Sequence, residues 1–369
     1  MQYHMIAPCY FGTESAAAYD FKRIGAQNVT VTDGRVSFDG DEDILCAANL
    51  WSRCAERVLL LLKTGKVTSF DELFDLTASI PWEELLPADA AFPVKGSSLS
   101  SQLSSVPACQ SIVKKAVVER MRRGHHTQVL PETGAVYKIR FSIRKNIAEI
   151  QLDTSGDGLH KRGYRRNSTL APIKETLASA IVDLGRIYPD TVAQDPFCGS
   201  GTLMIEAAMK AMNLAPGMRR RFAAEHYAFI SPKAWARQRE KALSEIRKDC
   251  TFEGIGFDID PAAVRLATAN AKLAGVEKHC RFFEADVSRF APAKGSMVFT
   301  NPPYGERLGD LQQAAELERI LGRRLEENPV RGAYIITADA DFETHFGKKA
   351  KRRRKLYNGM IPCQVYMYF

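Results

Sequence analysis

The chain has 369 residues, 45% of them hydrophobic and 25% charged, with 51 Lys and Arg against 43 Asp and Glu. That apolar content suffices for two or three buried cores and excludes a disordered or fibrous polymer. Residues 1–8 contain no basic segment leading into an apolar stretch, and no apolar run is long enough to span a bilayer, so a cytoplasmic protein is expected. The eight cysteines include no C-x-x-C pair, which argues for reduced core thiols, against a zinc ribbon, and for no metal.

Charge is spread unevenly. Residues 1–92 hold 7 Lys or Arg against 14 Asp or Glu, whereas residues 112–166 hold 13 against 5. The excess includes Lys114, Lys115, Arg122, Arg123, Lys161, Arg162, Arg165 and Arg166. Such clusters bind nucleic-acid phosphates in a salt-sensitive way, and Tyr164 between arginines would stack on an unpaired base. A basic run is more usually a solvated helix face; the contrast between the two regions favours RNA.

In chain order, residues 1–58 alternate a strand over 3–7, a helix over 15–25, an extended segment over 28–38 and a helix over 42–54. That order fits a small α+β module of ferredoxin-like type. Residues 59–155 add strands near 58–62 and 92–94, a helix over 70–78, a long helix over 106–122, and strands over 136–143 and 147–153. The polar stretch 156–168, with three glycines and several arginines, reads as a linker. From 169 to 369, helices alternate with short apolar strands, which predicts a doubly wound, Rossmann-like α/β sheet. Asn358-Gly359 between two β-rich runs predicts a closing hairpin at its edge. The basic run from Lys348 to Lys355 just before it serves either RNA contact or the charged protection that edge strands need.

Within the last domain, the run 191–194 leads into Asp195-Pro196-Phe197-Cys198-Gly199-Ser200-Gly201-Thr202, a glycine-rich turn opening a helix. Gly199 and Gly201 allow close backbone approach to a ligand, and Asp195 can bind a cationic or hydroxyl-bearing part of it. Met204 stands where a dinucleotide fingerprint needs a third glycine, and no Gly-Lys-Ser/Thr follows, so a phosphate-cradling loop is not expected. Cys198 has no partner base nearby, which argues against a nucleophile. A second acidic strand end, Phe257-Asp258-Ile259-Asp260-Pro261, places Asp258 for ribose hydroxyls. It lies 57 residues beyond Gly201, so an insertion separates the two. A third strand end places Asp286 where an adenine amine could be read. Singly, each acid is more often a cap or turn residue.

The fourth strand end, Asn301-Pro302-Pro303-Tyr304, is chemically the most restrictive. Two prolines remove backbone donors and leave their carbonyls as acceptors, so Asn301 and Pro302 make a stiff acceptor rim. Such a rim draws on the hydrogens of an aromatic amine as charge develops on its nitrogen, and Tyr304 would stack on a flipped base. An ordinary Asn-Pro turn with a packed tyrosine is the competing reading.

The order of these motifs resembles the class I S-adenosyl-L-methionine-dependent methyltransferases that modify exocyclic amines. The segments Trp51-Ser52-Arg53, Asp157 to Arg165 and Ala171 to Ala178 are similar to those of the large-subunit (23S) rRNA guanine-N2 methyltransferases carrying a THUMP RNA-binding domain. The resemblance implies a THUMP domain over 59–155, a methyltransferase domain over 169–369, and RNA as partner. It also implies cofactor contacts from Asp195, Phe197, Cys198, Gly199, Gly201, Thr202, Asp258, Ile259 and Asp286. A tRNA guanine-N2, DNA adenine or protein glutamine methyltransferase, and a non-catalytic RNA-binding assembly factor, remain as alternatives. The sequence leaves the oligomeric state open.

Overall fold

Period-two burial builds the first sheet. In the run 139–144, Ile139, Phe141 and Ile143 point inward, and in 35–40 Val36, Phe38 and Gly40 do. The structure, a computed structural model, describes residues 2–165, 173–303, 308–359 and 361–369. Its N-terminal half runs β1 (Tyr3–Pro8), α1 (Glu14–Arg23), β2 (Gln27–Thr32), β3 (Arg35–Gly40), α2 (Glu42–Trp51), β4 (Leu59–Lys66), α3 (Phe70–Ala78), α4 (Trp82–Leu85), β5 (Val94–Leu99), α5 (Val106–Gly124), β6 (Ile139–Arg144) and β7 (Ile147–Asp153). The extended segment expected at 28–38 is a hairpin, β2 and β3. The two expected N-terminal modules share one seven-stranded sheet, ordered β2-β3-β1-β4-β7-β6-β5. Its join is β4, antiparallel both to β1 and to β7.

The C-terminal half runs α6 (Glu175–Leu184), β8 (Val192–Asp195), α7 (Thr202–Ala211), α8 (Pro232–Ser244), β9 (Glu253–Asp258), α9 (Pro261–Ala274), β10 (Cys280–Glu284), β11 (Met297–Thr300), α10 (Leu308–Glu327), β12 (Gly332–Thr337), α11 (Phe342–Phe346), β13 (Arg352–Asn358) and β14 (Ile361–Tyr368). The sheet order is β10-β9-β8-β11-β12-β14-β13, parallel through β12, with an antiparallel edge hairpin. Both β11 and β12 are buried throughout, as strands covered on two faces must be. Met297 and Phe299 enter one core beside Leu177 of α6 and Leu203 of α7, while Val298 enters the other beside Leu321 and Phe342.

The insertion predicted between Gly201 and Asp258 holds α8 and belongs physically to the other half. Phe222, Tyr227 and Trp235 join the N-terminal core. Tyr227 stacks on Tyr137 with centroids 4.4 Å apart and donates its hydroxyl to the Asp153 carbonyl at 2.6 Å.

The stretch expected as a linker is partly buried over its described part, with Gly158, Leu159, Arg162 and Tyr164 inside. Arg162 donates to the carbonyls of Ser52, Arg53 and Leu159, and its Nε to Glu206 Oε1 at 3.4 Å. Glu206 of α7 also accepts from Tyr164 and Ser179. Arg53 sends its guanidinium to the carbonyls of Met209 and Leu214. Two segments about 110 residues apart in sequence therefore meet on the helix that follows the glycine turn. Removing one partner of a fully buried ion pair strands the other, at a cost of about 3–5 kcal/mol. Glu206→Ala should lower stability by that amount in urea denaturation, and Glu206→Gln, which keeps an acceptor, by less. A change below about 1 kcal/mol, the scale of exposed pairs, would show that the junction is not held by charge.

Candidate functional site

Strands β8 and β11 are parallel neighbours, with Met297 opposite Ala193 and Val298 opposite Gln194. From β8 the chain turns to β9 and β10 on one side and later to β11 and β12 on the other. Beyond the carboxyl ends of strands at such a reversal lies the crevice where α/β sheets bind ligands. Asp195 ends β8, and Asn301 follows the end of β11. The Thr300 hydroxyl donates to Asp195 Oδ1 at 2.6 Å, so the two motifs border one cleft. The same oxygen accepts from the Phe197 N–H at 3.0 Å.

The glycine turn is held open by left-handed backbone at Gly199 (φ +51°) and Gly201 (φ +79°). A Cβ at Gly201 would lie 2.8 Å from Phe282 and 2.9 Å from Ala267, so only glycine fits. Asp258 reaches across to accept from the Gly199 N–H at 2.8 Å, and its second oxygen accepts from the Asp260 N–H at 3.0 Å. Each oxygen keeps a lone pair for a hydroxyl ligand. Ile259 beside it is 68% exposed. The Asp258 carbonyl accepts from Ala285 N–H, which brings Asp286 alongside. Asp286 borders a cavity of about 170 Å³ together with Pro196, Phe257, Val287 and Phe290. Its carboxyl is held below the usual range by hydrogen bonds from Ser288. An acid at the mouth of an apolar slot suits a flat heterocycle bearing an amine.

At the rim, Asn301 Oδ1 is buried and has no hydrogen-bond partner among the described residues. A buried acceptor left unpaired is costly, and a donor arriving with a ligand would satisfy it. Pro302 is buried and Pro303 exposed beside it. Tyr304 lies outside the described residues.

Thr202 and Cys198, expected at the cofactor, turn inward. The Thr202 hydroxyl lies 3.1 Å from Ser200 Oγ and accepts from Arg165 at 3.3 Å. Burial pushes the Cys198 thiol far above its ordinary value, so it holds no thiolate for nucleophilic work. Two positions that the motifs did not single out hold the site together. These are Thr300, signalled only by a hydroxyl at the end of an apolar strand, and Asn270, which donates to the Ser200 carbonyl at 3.0 Å.

Among the basic residues, Lys115, Arg122 and Arg123 are exposed on α5, and Lys161 is exposed. Lys114 is tied to Glu132 at 2.6 Å and to the Phe92 carbonyl. Three expectations are corrected. Arg162 and Tyr164 are 2% and 1% exposed and spend their polar groups on the junction with Glu206. Arg165 pairs with Glu175 at 2.9 Å, both largely buried. None of the three faces an external RNA. Arg166 lies outside the described residues.

Glu318, Asp339 and His345 group ligand-type side chains beyond β12. They close on themselves, with His345 Nδ1 2.7 Å from Asp339 and 3.2 Å from Glu318, whose carboxyl burial pushes up to about 8.

Residues 162–367 match a family described as RMKL-like, methyltransferase domain. Residues 4–59 match the RlmL ferredoxin-like domain, and residues 67–153 the THUMP domain. The chain is 40% identical to "Putative RNA methyltransferase YpsC" of Bacillus subtilis, over all of this chain and 96% of that one. It is 34% identical to ribosomal RNA large subunit methyltransferase K/L of Syntrophotalea carbinolica, over 96% of this chain. It spans about half the length of the K/L relatives, 52% in that case. A solved structure described as a "putative methyltransferase complexed with SAH" is 36% identical, covers all of this chain and 98% of its own, and superposes with a TM-score of 0.93.

Burial pushes the Asp195 carboxyl from the ordinary 3.8 up to about 7, with the Asp258 charge adding to the rise. Between those values the folded chain holds a proton that the unfolded chain has released, so stability falls as pH rises through that window. Asp195→Asn keeps an acceptor for Thr300 and should flatten the decline in denaturant midpoint between about pH 4 and about pH 7. An undiminished slope would assign the decline to other groups.

Proposed function

The chain belongs to the RMKL-like methyltransferase family, and from that premise we propose that it methylates the exocyclic N2 amine of a guanine in large-subunit rRNA, with S-adenosyl-L-methionine as donor. The observation that carries the reading is the unpaired buried acceptor of Asn301, next to Thr300, whose hydroxyl ties the end of β11 to Asp195 in an acid-lined cleft. When bound, the donor supplies an electrophilic methyl carbon. Its fit is supported by the free lone pairs of Asp258 for ribose hydroxyls, and by the apolar slot under Asp286 for adenine. Ile259, exposed in the structure, gains an apolar neighbour on binding, and Asp195 offers a carboxylate to the cationic end.

The chemistry then asks little of a base. A guanine amine is weakly nucleophilic because its lone pair is shared with the ring. Asn301 Oδ1 and the Pro302 carbonyl accept its two hydrogens, which favours the positive charge that grows on nitrogen as the new N–C bond forms and the methyl–sulfur bond breaks, its electron pair going to sulfur. The surplus proton leaves to water once transfer is complete. Holding donor and acceptor in one cleft supplies much of the rate.

RNA as substrate is supported by the THUMP match, by the exposed cations of α5 and by the printed names of the relatives. The assignment to rRNA extends the names of the K/L relatives to a chain that spans half their length, and the assignment to N2 rests on the resemblance carried by the Asn301-Pro302-Pro303-Tyr304 motif. Incubating RNA from a strain lacking the protein with purified enzyme and labelled donor identifies the target. Label in DNA or protein alone would overturn the substrate.

Asn301→Ala should keep affinity for S-adenosylhomocysteine and lose on the order of a hundredfold in turnover. Full activity in that variant would remove Asn301 from the chemistry. Asp258→Ala should weaken S-adenosylhomocysteine binding by tenfold or more in calorimetry, since hydrogen bonds to a charged group contribute about 1.5–3 kcal/mol. Equal affinity would exclude the ribose contact.

A further inference from the structure

At the opposite end of the same sheet, α10 and the segment joining α11 to β13 frame a groove of about 800 Å³. Its floor includes Ala333 near the start of β12, which pairs with Val298 of β11, so it lies three residues, roughly 10 Å along the strand, from the Asn301 rim. Lys348, Lys349 and Lys351 stand on its border, all exposed, and Arg352 follows them. No carboxylate lies within ion-pair distance of these four among the described residues, while Arg319 and Arg323 across the groove are both engaged by Glu316. Glu326 is the remaining acid on the border.

Protection of an edge strand explains part of the basic run. β13 is the edge, and Arg353 and Lys355 lie on it, with Arg353 paired to Glu343. That explanation does not reach Lys348, Lys349 or Lys351, which precede the strand and ring the groove instead. Like charges gathered without counter-charge repel one another, and the surface gains most from a polyanion.

We infer that this groove is a second RNA-docking site, in which backbone phosphates remote from the target base sit on Lys348, Lys349, Lys351 and Arg352. The inference rests on the reading of RNA as substrate. The bound strand then runs along the β13 edge from the catalytic rim to the groove, and its footprint exceeds the fragment that fills the active site.

The test compares the full chain with its Lys348→Ala/Lys349→Ala/Lys351→Ala variant on two substrates. One is deproteinised large-subunit rRNA from a strain lacking the enzyme, and the other a short fragment cut around the labelled base. On the long RNA, KM should rise on the order of tenfold with kcat unchanged, and the slope of log affinity against log salt should shrink by about 2 to 3. On the short fragment, and in S-adenosylhomocysteine affinity, the variant should equal the unaltered chain. Unchanged KM and salt slope on long RNA would overturn the groove assignment while leaving RNA methylation standing, and so would an equal loss on both substrates. Failure of the unaltered chain to methylate any RNA would overturn the underlying reading and the groove with it.

Discussion

A hydroxyl from the end of β11 donates to a carboxylate at the end of β8, and the cleft is organised around that contact between Thr300 and Asp195. Side chains on a strand alternate faces, so a one-residue slip of β11 would carry Thr300 away from Asp195 and turn Asn301 to the opposite side. Because Asp195 is buried, the bond acts where electrostatics are least screened. The same oxygen fixes the start of the glycine turn through Phe197, and Asp258 fixes Gly199. Three strand ends are thus registered by side chains that each strand offers to its neighbour.

That cleft is joined to the N-terminal half by buried charge. Arg162 and Arg53 cross between the halves in opposite directions, one ending on Glu206 and on carbonyls beside α2, the other on carbonyls at the end of α7. A buried guanidinium is costly unless its donors are paired; Arg162 is supplied with carbonyls and one carboxylate, and Arg53 Nη2 with two carbonyls, while Arg53 Nη1 has no partner among the described residues. Since α7 begins at Thr202, the helix that carries the glycine turn is also the helix to which the other half is fastened. The insertion with α8 adds an aromatic attachment through Tyr227 and Trp235. The exposed cations of α5 are thereby carried on a body fastened to the helix that borders the cleft.

Much of the fold was legible because local signals agreed. Apolar and β-branched runs marked β6, β11 and β12, and Asn358-Gly359 marked the closing hairpin. Less was legible where an element's partner lies far away in sequence. Val58 to Leu62 reads as a strand, but nothing in it says that β4 will pair with β1 and β7 and merge two modules into one sheet. The insertion reads only as a separation between Gly201 and Asp258, yet its aromatic residues find a core on the opposite half. Arginine-rich segments are ambiguous for the same reason, since a guanidinium suits a phosphate in solvent and a ring of carbonyls in the interior equally well. For Arg162 and Arg165 the interior prevailed. In Lys348 to Arg352 the same residue types stay outside.

The sequence alone determined the chemical vocabulary of the site: Asp195, the glycine turn, Asp258, Asp286 and the Asn-Pro-Pro corner, each at a strand end, because those features depend on residue type and on period-two or helical patterning nearby. Tertiary structure alone decided which strand ends are neighbours, which acid accepts from which turn, that Asn301 keeps an unpaired acceptor among the described residues, and which cations face solvent. Those properties arise from contacts between residues about fifty to more than a hundred positions apart, and such contacts exist only once the parallel sheet has closed and the arginine junction has been buried.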